Sequence, residues 1–118
     1  MKGDIVLVPF PNSDLSTWKR RPALVLFEDP LENETTIAYI SSKTPITLSA
    51  NDILITRGTP SFEESGLNHN SILKINKIET IKTNFIAGLL GSADESLQEE
   101  VNRALDACLK FPAFPDSY

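Results

Sequence analysis

The sequence predicts a mainly-β fold: a closed or nearly closed antiparallel barrel with one C-terminal α-helix. Three observations carry this reading. Short β-branched and aromatic runs recur, separated by turn chemistry about every eight to twelve residues. Only one stretch, near the C-terminus, has the three-to-four-residue apolar period of a helix. No strand–helix–strand alternation is present to build a parallel sheet.

The elements follow in order. Gly3-Asp-Ile-Val-Leu-Val-Pro-Phe10 is β-branched and apolar and reads as the first strand. Pro11-Asn-Ser-Asp14 is turn chemistry, and a loop runs on through Trp18. Pro22-Ala-Leu-Val-Leu-Phe27 is the second strand, its proline placed at the first position, where a missing ladder donor matters least. Asp29 to Glu34 turns the chain into the third strand, Thr35 to Ser41, and Asp52 to Thr56 forms the fourth. In the fourth strand Ile53 and Ile55 alternate with Leu54 and Thr56, as one buried face requires. Ser61 to Glu64 allows a helical turn within a loop. Ser71 to Ile75 and Lys77 to Ile81 read as a strand followed by a second short one, and Phe85 to Leu90 as the last. The helix then begins with Ser92 as its cap and Glu95 closing a capping box. Leu97, Val101, Ala104, Leu105, Cys108 and Leu109 form one apolar stripe, and Pro112 ends the helix.

With 118 residues the chain is expected to be a single domain, 1–118, able to bury a core without disulfides. The single cysteine, Cys108, excludes an intramolecular disulfide and fits a reducing compartment. No apolar run approaches the roughly 20 residues that span a bilayer, and the N-terminus lacks the pattern of a signal peptide, so the expected location is cytoplasmic. The formal charge of −5 argues against nucleic acid until its distribution is considered. Residues 92–118 hold six acids against two bases, whereas in the first 91 residues nine bases face ten acids. A binding site responds to its local field, and the basic side chains are clustered.

That cluster is Lys19-Arg20-Arg21-Pro22, three cations at the start of a strand. Pro22 restricts the backbone of Arg21, and a guanidinium presents a planar fork that holds two phosphate oxygens. Such a group stabilises the charge of a phosphoryl-transfer transition state, although three cations also make an ordinary solvated turn. Ser41-Ser42-Lys43 ends the third strand with hydroxyls and a cation suited to phosphate. Trp18 and Phe10 flank the basic loop and could stack on unpaired bases, or pack in a core. His69, the one histidine, stands in Asn68-His69-Asn70 and reads as a polar loop residue rather than a catalytic base. Phosphate-binding and dinucleotide-binding glycine loops are absent, as are histidine pairs for zinc.

Gly3 to Phe10 resembles the opening strand of the MazF/PemK toxins. Lys19 to Leu26 is similar to their Arg-Pro-(Ala/Val)-Leu-Val strand start, and Ile40-Ser41-Ser42-Lys43 to their Ile-Thr-Ser turn. Gly66-Leu67 through Leu73, then Lys77 to Ile81, resembles their next segment, and Ile86 to Leu90 with the helix resembles their C-terminal part. These matches run in order from Gly3 to about Leu109. The resemblance implies an SH3-like barrel of the MazF/CcdB type, a homodimer, and a cognate antitoxin whose flexible segment covers the groove. It implies metal-independent, sequence-selective cleavage of single-stranded RNA to 2′,3′-cyclic phosphate and 5′-hydroxyl ends, with no cofactor. Arg21 takes the place of the family arginine, stabilising the transition state and protonating the leaving oxygen. Ser41 takes the place of the family threonine at the scissile phosphate. Asp14, Ser16, Trp18, Lys19, Arg20, Ser42 and Lys43 would contact RNA. Two departures stand out: the threonine is Ser41, and the glutamate that some members carry five residues before the arginine is Ser16. Either Asp14 supplies the base, or positioning and charge suffice.

Two other functions fit the same residues. A non-catalytic toxin of this fold that poisons a protein such as DNA gyrase would suit the net charge and the two departures. A plain interaction domain on a small barrel would leave the basic cluster without a role.

Overall fold

The computed structural model describes residues 1–11, 14, 16–43 and 47–113. Its elements are β1 (Asp4–Pro11), β2 (Trp18–Asp29), β3 (Glu34–Ser41), β4 (Asp52–Ile55), α1 (Pro60–Ser65), β5 (Ser71–Lys82), β6 (Gly88–Ser92) and α2 (Glu95–Leu109), with a 3-10 turn at Thr83–Phe85. The strands form one antiparallel sheet in the order β4-β5-β3-β2-β1-β6. The expected mainly-β fold with a C-terminal helix is therefore present. The ladder stops at β4 and β6 without joining them, so the sheet is a curled half-barrel. Packing of α1 on β6, and of α2 on β4 and β5, covers its open side.

Irregular pairing bends the sheet. In β2 Val25 faces Ile37 while Phe27 faces Thr36, which leaves Leu26 as an extra residue. In β6 Leu90 is extra between the partners of Ile5 and Val6. The largest break lies between β3 and β5, where Ala38 pairs with Ile78 but Ile40 pairs with Leu73. Extra residues on one strand force it to bend and twist. This bulge explains the two short strands expected at 71–75 and 77–81. They are halves of one strand, whose apolar alternation changes face where the backbone bulges.

Each central strand buries both of its faces. Ile5, Leu24, Ala38, Ile40, Ile53, Ile55, Leu73 and Ile75 point inward and meet Phe62 of α1 and Leu97, Val101 and Ala104 of α2. Val6, Val8, Ala23, Val25 and Ile37 form a second cluster on the opposite face, beneath Tyr39, Ile81 and Ile86. Full burial of each larger aliphatic side chain contributes about 1.5–3 kcal/mol, enough for these clusters to override the weak helix preferences of the loops.

Several element ends differ from expectation. Ser92 does not cap α2, because it is still paired with Asp4 in the β1–β6 ladder. Asp94 is the cap: its Oδ1 accepts from the Leu97 N–H at 2.9 Å and from Ser61 Oγ at 2.7 Å. Replacing Asp94 with alanine is expected to cost about 1–2 kcal/mol, read as a lower thermal midpoint. The last strand begins at Gly88, later than expected, because the 3-10 turn at Thr83–Phe85 first carries Ile86 onto the second cluster. Helix α2 stops at Leu109, before Pro112, and its stripe outruns the sheet: Leu97, Val101 and Ala104 are buried, but Cys108 and Leu109 are exposed. Among the described residues no helix is long and apolar enough to cross a membrane.

Candidate active site

Strand β2 begins at Trp18, four residues earlier than its apolar run suggests. From Val8 to Pro11, β1 has no partner in β6, and from Trp18 to Pro22, β2 has none in β3. The two therefore pair only with each other and form a two-stranded ribbon. Pro22 loses no bond to β3 there, which is how a proline sits inside a twelve-residue strand. The ribbon carries Phe10, Trp18, Lys19, Arg20 and Arg21 away from the hydrophobic clusters.

Arg21 faces Val8 in the ladder and is half-buried. Its guanidinium carbon lies 4.8 Å from the centre of the Phe10 ring. Its Nε is sealed from solvent and has no hydrogen-bond partner among the described residues. A buried donor left unpaired costs about 1–3 kcal/mol, so the fold holds this group at a standing expense. Phe10 meets Tyr39 edge to face, with ring centres 5.4 Å apart, and Tyr39 Oη donates to Glu79 Oε2 at 2.7 Å. Burial, then the adjacent carboxylate, pushes the phenol well above its ordinary range, so it remains a proton donor.

Arg21 forms a wall of two cavities. One, of about 510 Å³, brings it together with Ser41, Tyr39, Lys77 and Glu79 below the β5 bulge. The other, of about 320 Å³, brings it together with Lys19, Arg20, Ser42, Ser71 and His69. Ser41 is half-buried at the end of β3, and its Oγ accepts from the Lys43 N–H at 3.1 Å, leaving its hydroxyl proton available. Trp18 lies in a third cavity, alongside Phe10 and Tyr39.

The remaining expected site residues stand apart. Lys43 is exposed and lines neither of Arg21's cavities. Asp14 and Ser16 are exposed and line neither. Asp14 Oδ1 accepts from the Ser16 N–H at 3.0 Å, and that bond holds its carboxyl below the usual range. A carboxylate stabilised in this way is a weaker base. Its neighbours Asn12, Ser13 and Leu15 lie outside the described residues.

The sequence reads His69 as a polar loop residue, and the structure places it in Arg21's smaller cavity. Gly66, the left-handed cap of α1 with φ 72°, swings the chain toward the ribbon and delivers Leu67, Asn68 and His69 to Arg21's smaller cavity. Nor does the sequence reading single out Tyr39 and Glu79, which meet diagonally across β3 and β5.

Lys74 also lines the larger cavity, but Asp52 occupies its ammonium. Nζ donates to Asp52 Oδ1 at 2.7 Å, and the Asp52 side chain is 3% exposed. That bond, with backbone and hydroxyl donors from Ser49, lowers the Asp52 carboxyl. A depressed folded-state pKa adds stability that is present above the unfolded value of about 3.9 and lost as pH falls through the lower folded value. Asp52→Asn is expected to flatten the acid limb of a stability–pH curve. At pH 7 it should lower unfolding free energy by about 1.5–3 kcal/mol, measured in urea.

No curated protein matches the chain. Solved structures match its fold. The toxin MazF-mt6 of Mycobacterium tuberculosis is 18% identical with a TM-score of 0.69, over 93% of this chain and 99% of its own. A MazE–MazF structure from Deinococcus radiodurans is 16% identical with a TM-score of 0.71, over 94% and 96%. A mycobacterial endoribonuclease in complex with its cognate antitoxin is 15% identical with a TM-score of 0.67, over 98% of each chain. The model of the PemK-like, MazF-like toxins of type II toxin–antitoxin systems matches residues 1–109. With the match spanning nearly every described element, from β1 through α2, the chain belongs to this toxin family.

Proposed function

We propose that this toxin is a metal-independent endoribonuclease that cuts single-stranded messenger RNA in the cytoplasm. The observation that carries the reading is Arg21: a guanidinium stacked on Phe10, with an orphaned Nε, walling two cavities that hold a hydroxyl on one side and an imidazole on the other. A phosphodiester bound at Arg21 has Ser41 and Ser42 as further hydrogen-bond donors, while Lys19 and Arg20 attract the flanking phosphates. The ribose 2′-hydroxyl attacks its own phosphorus, the bond to O5′ breaks, and the products are a 2′,3′-cyclic phosphate and a 5′-hydroxyl. Arg21 stabilises the added charge on the phosphorane oxygens. Arginine holds its proton too tightly to release it, so Arg21 acts by charge and hydrogen bonding. His69 accepts the 2′-hydroxyl proton, O5′ takes a proton from water, and the proton held by His69 then neutralises the hydroxide left behind. His69 is preferred over Asp14 because it shares a cavity with Arg21 and Asp14 does not.

A cognate antitoxin is the expected partner, with a homodimer as the toxin's own assembly. Support comes from the family and from the MazE–MazF and endoribonuclease–antitoxin structures of the same fold. An acidic, flexible antitoxin segment would compete with RNA for the Arg20–Arg21 cavity.

The test is incubation of purified toxin with a long single-stranded RNA in EDTA, followed by end analysis. Cyclic-phosphate and 5′-hydroxyl ends are expected. Intact RNA, or ends of the opposite polarity, would overturn the reading. Replacing His69 with glutamine should lower single-turnover cleavage by about a hundredfold.

A further inference from the structure

We infer that the aromatic cavity beside Arg21 is a nucleobase subsite in which the Glu79 carboxylate selects guanine. The inference rests on the ribonuclease reading and specifies which base lies next to the cut.

This cavity, of about 550 Å³, is walled by Phe10, Trp18, Tyr39, Phe85 and Ile81. Trp18 is 67% exposed and Phe85 58% exposed, so their rings are open to a flat partner. Unpaired bases stack on such rings at about 1–3 kcal/mol each. Phe10, Tyr39 and Glu79 belong to this cavity and also to the one that holds Arg21 and Ser41. A base stacked here is therefore continuous with a phosphate at Arg21.

Stacking alone accepts any base, and Glu79 adds the discrimination. Among the described residues it is the only charged side chain in the aromatic cavity, and the Tyr39 hydroxyl fixes it through Oε2. Its Oε1 has no hydrogen-bond partner among the described residues. An ionised carboxylate only accepts hydrogen bonds. Guanine alone among the four bases offers two adjacent donors on its Watson–Crick edge, N1–H and the N2 amine, matching two carboxylate oxygens. Adenine and cytosine offer one amine beside an acceptor nitrogen that repels the carboxylate, and uracil offers one N–H between two acceptor carbonyls. The carboxylate also disfavours a phosphate in the cavity, so the backbone stays on the Arg21 side. An apolar protein surface suits the site poorly, since it would bury Glu79 with one oxygen unpaired.

Trp18 is the only tryptophan, so its fluorescence reports occupancy directly. The probes are five-nucleotide, fully 2′-O-methylated RNAs with uridine flanks and each base in turn at the centre. They cannot be cleaved, so binding is read whether or not the protein is a nuclease. Wild type should quench with the guanine probe at about tenfold lower Kd than with the other three, the discrimination one bidentate pair supplies. Inosine, which lacks the N2 amine, should lose much of that advantage. Glu79→Gln should abolish the guanine preference while retaining stacking, and Tyr39→Phe should weaken it. Melting curves of both variants show whether they remain folded.

Equal affinity for all four bases would overturn the inference, as would a guanine preference that survives Glu79→Gln. Trp18 emission that no probe alters, in a protein that sediments as a dimer, would also overturn it and assign the cavity to a second copy of the chain. Mapping cut sites separates the two claims. Wild-type cleavage with no guanine bias sinks the subsite alone, whereas guanine-selective binding without cleavage sinks the nuclease reading alone.

Discussion

Replacing Arg21 with alanine should lower RNA cleavage by about a thousandfold, measured as single-turnover rate on a short RNA, with little change in the thermal midpoint. The rate effect follows from what the guanidinium faces. Among the described residues it is the only cation that walls both cavities of the candidate site, with Lys19 and Arg20 confined to one and Lys74 and Lys77 to the other. Removing one preorganised donor to a developing oxyanion costs about 10²–10³ in rate. Arg21 supplies a formal charge as well, which places it at the upper end. The stability effect is small because two contributions oppose each other. Truncation loses stacking on Phe10 at 4.8 Å, worth about 0.5–1 kcal/mol. It also removes the buried, unpaired Nε, whose desolvation costs at least as much. Arg21→Lys keeps the charge but loses the planar fork and the stacked plane, so it should recover only a small part of the activity. Retention of cleavage within about threefold in Arg21→Ala would move the chemistry elsewhere, because a group making a transition-state contact cannot be removed at so little cost.

The legibility of this site in the sequence depends on how local each signal is. Arg21, Lys19 and Arg20 could be read because one ribbon carries them and Pro22 marks its direction. Ser41 could be read because a strand end is a local feature. Its approach to Arg21 is less local: it follows from pairing of Ala23 with Tyr39, which sets the end of β3 beside the ribbon. His69 and Glu79 could not be read by the same means. His69 reaches the cavity through a left-handed turn whose position depends on α1 packing against β6. Glu79 meets Tyr39 diagonally across the β3–β5 ladder, because Ile37 faces Glu79 and Ala38 faces Ile78. Strand register and helix docking are set by long-range packing, to which strand periodicity is blind. The helix start shows the same competition. Ser92 and Glu95 match a capping box, but the β1–β6 ladder claims Ser92 first, and Asp94 becomes the next side chain able to cap.

Gly91→Ala is expected to destabilise the fold by about 3 kcal/mol or more, and to impair cleavage even where the protein remains folded. Gly91 pairs with Ile5 in the ladder, and the last turn of α1 lies directly upon it. A Cβ at this position would overlap the Glu64 carbonyl oxygen and stand 2.6 Å from the Ser65 carbonyl group. Those atoms are backbone and cannot rotate aside as a side chain would. Ser65 is itself fully buried, its Oγ donating to the Phe62 carbonyl at 2.6 Å and accepting from the Leu67 N–H at 3.1 Å. Relief of the overlap must therefore lift the whole turn, breaking satisfied buried bonds and opening the contact with β6. Overpacking of a rigid site costs about 1–3 kcal/mol, and buried polar groups left unpaired add to it. For a domain of this size the thermal midpoint should fall by about 10 °C or more. Gly88→Ala is the control in the same strand, since its nearest neighbour is a flexible Leu7 methyl at 3.9 Å. It should melt close to wild type. The same turn leads through Gly66 to Leu67, Asn68 and His69, so lifting it withdraws the imidazole from Arg21's cavity. Cleavage by Gly91→Ala, assayed well below its melting transition, should therefore fall toward the rate of His69→Gln. If Gly91→Ala melts early yet cleaves at the wild-type rate while folded, His69 has no part in the reaction.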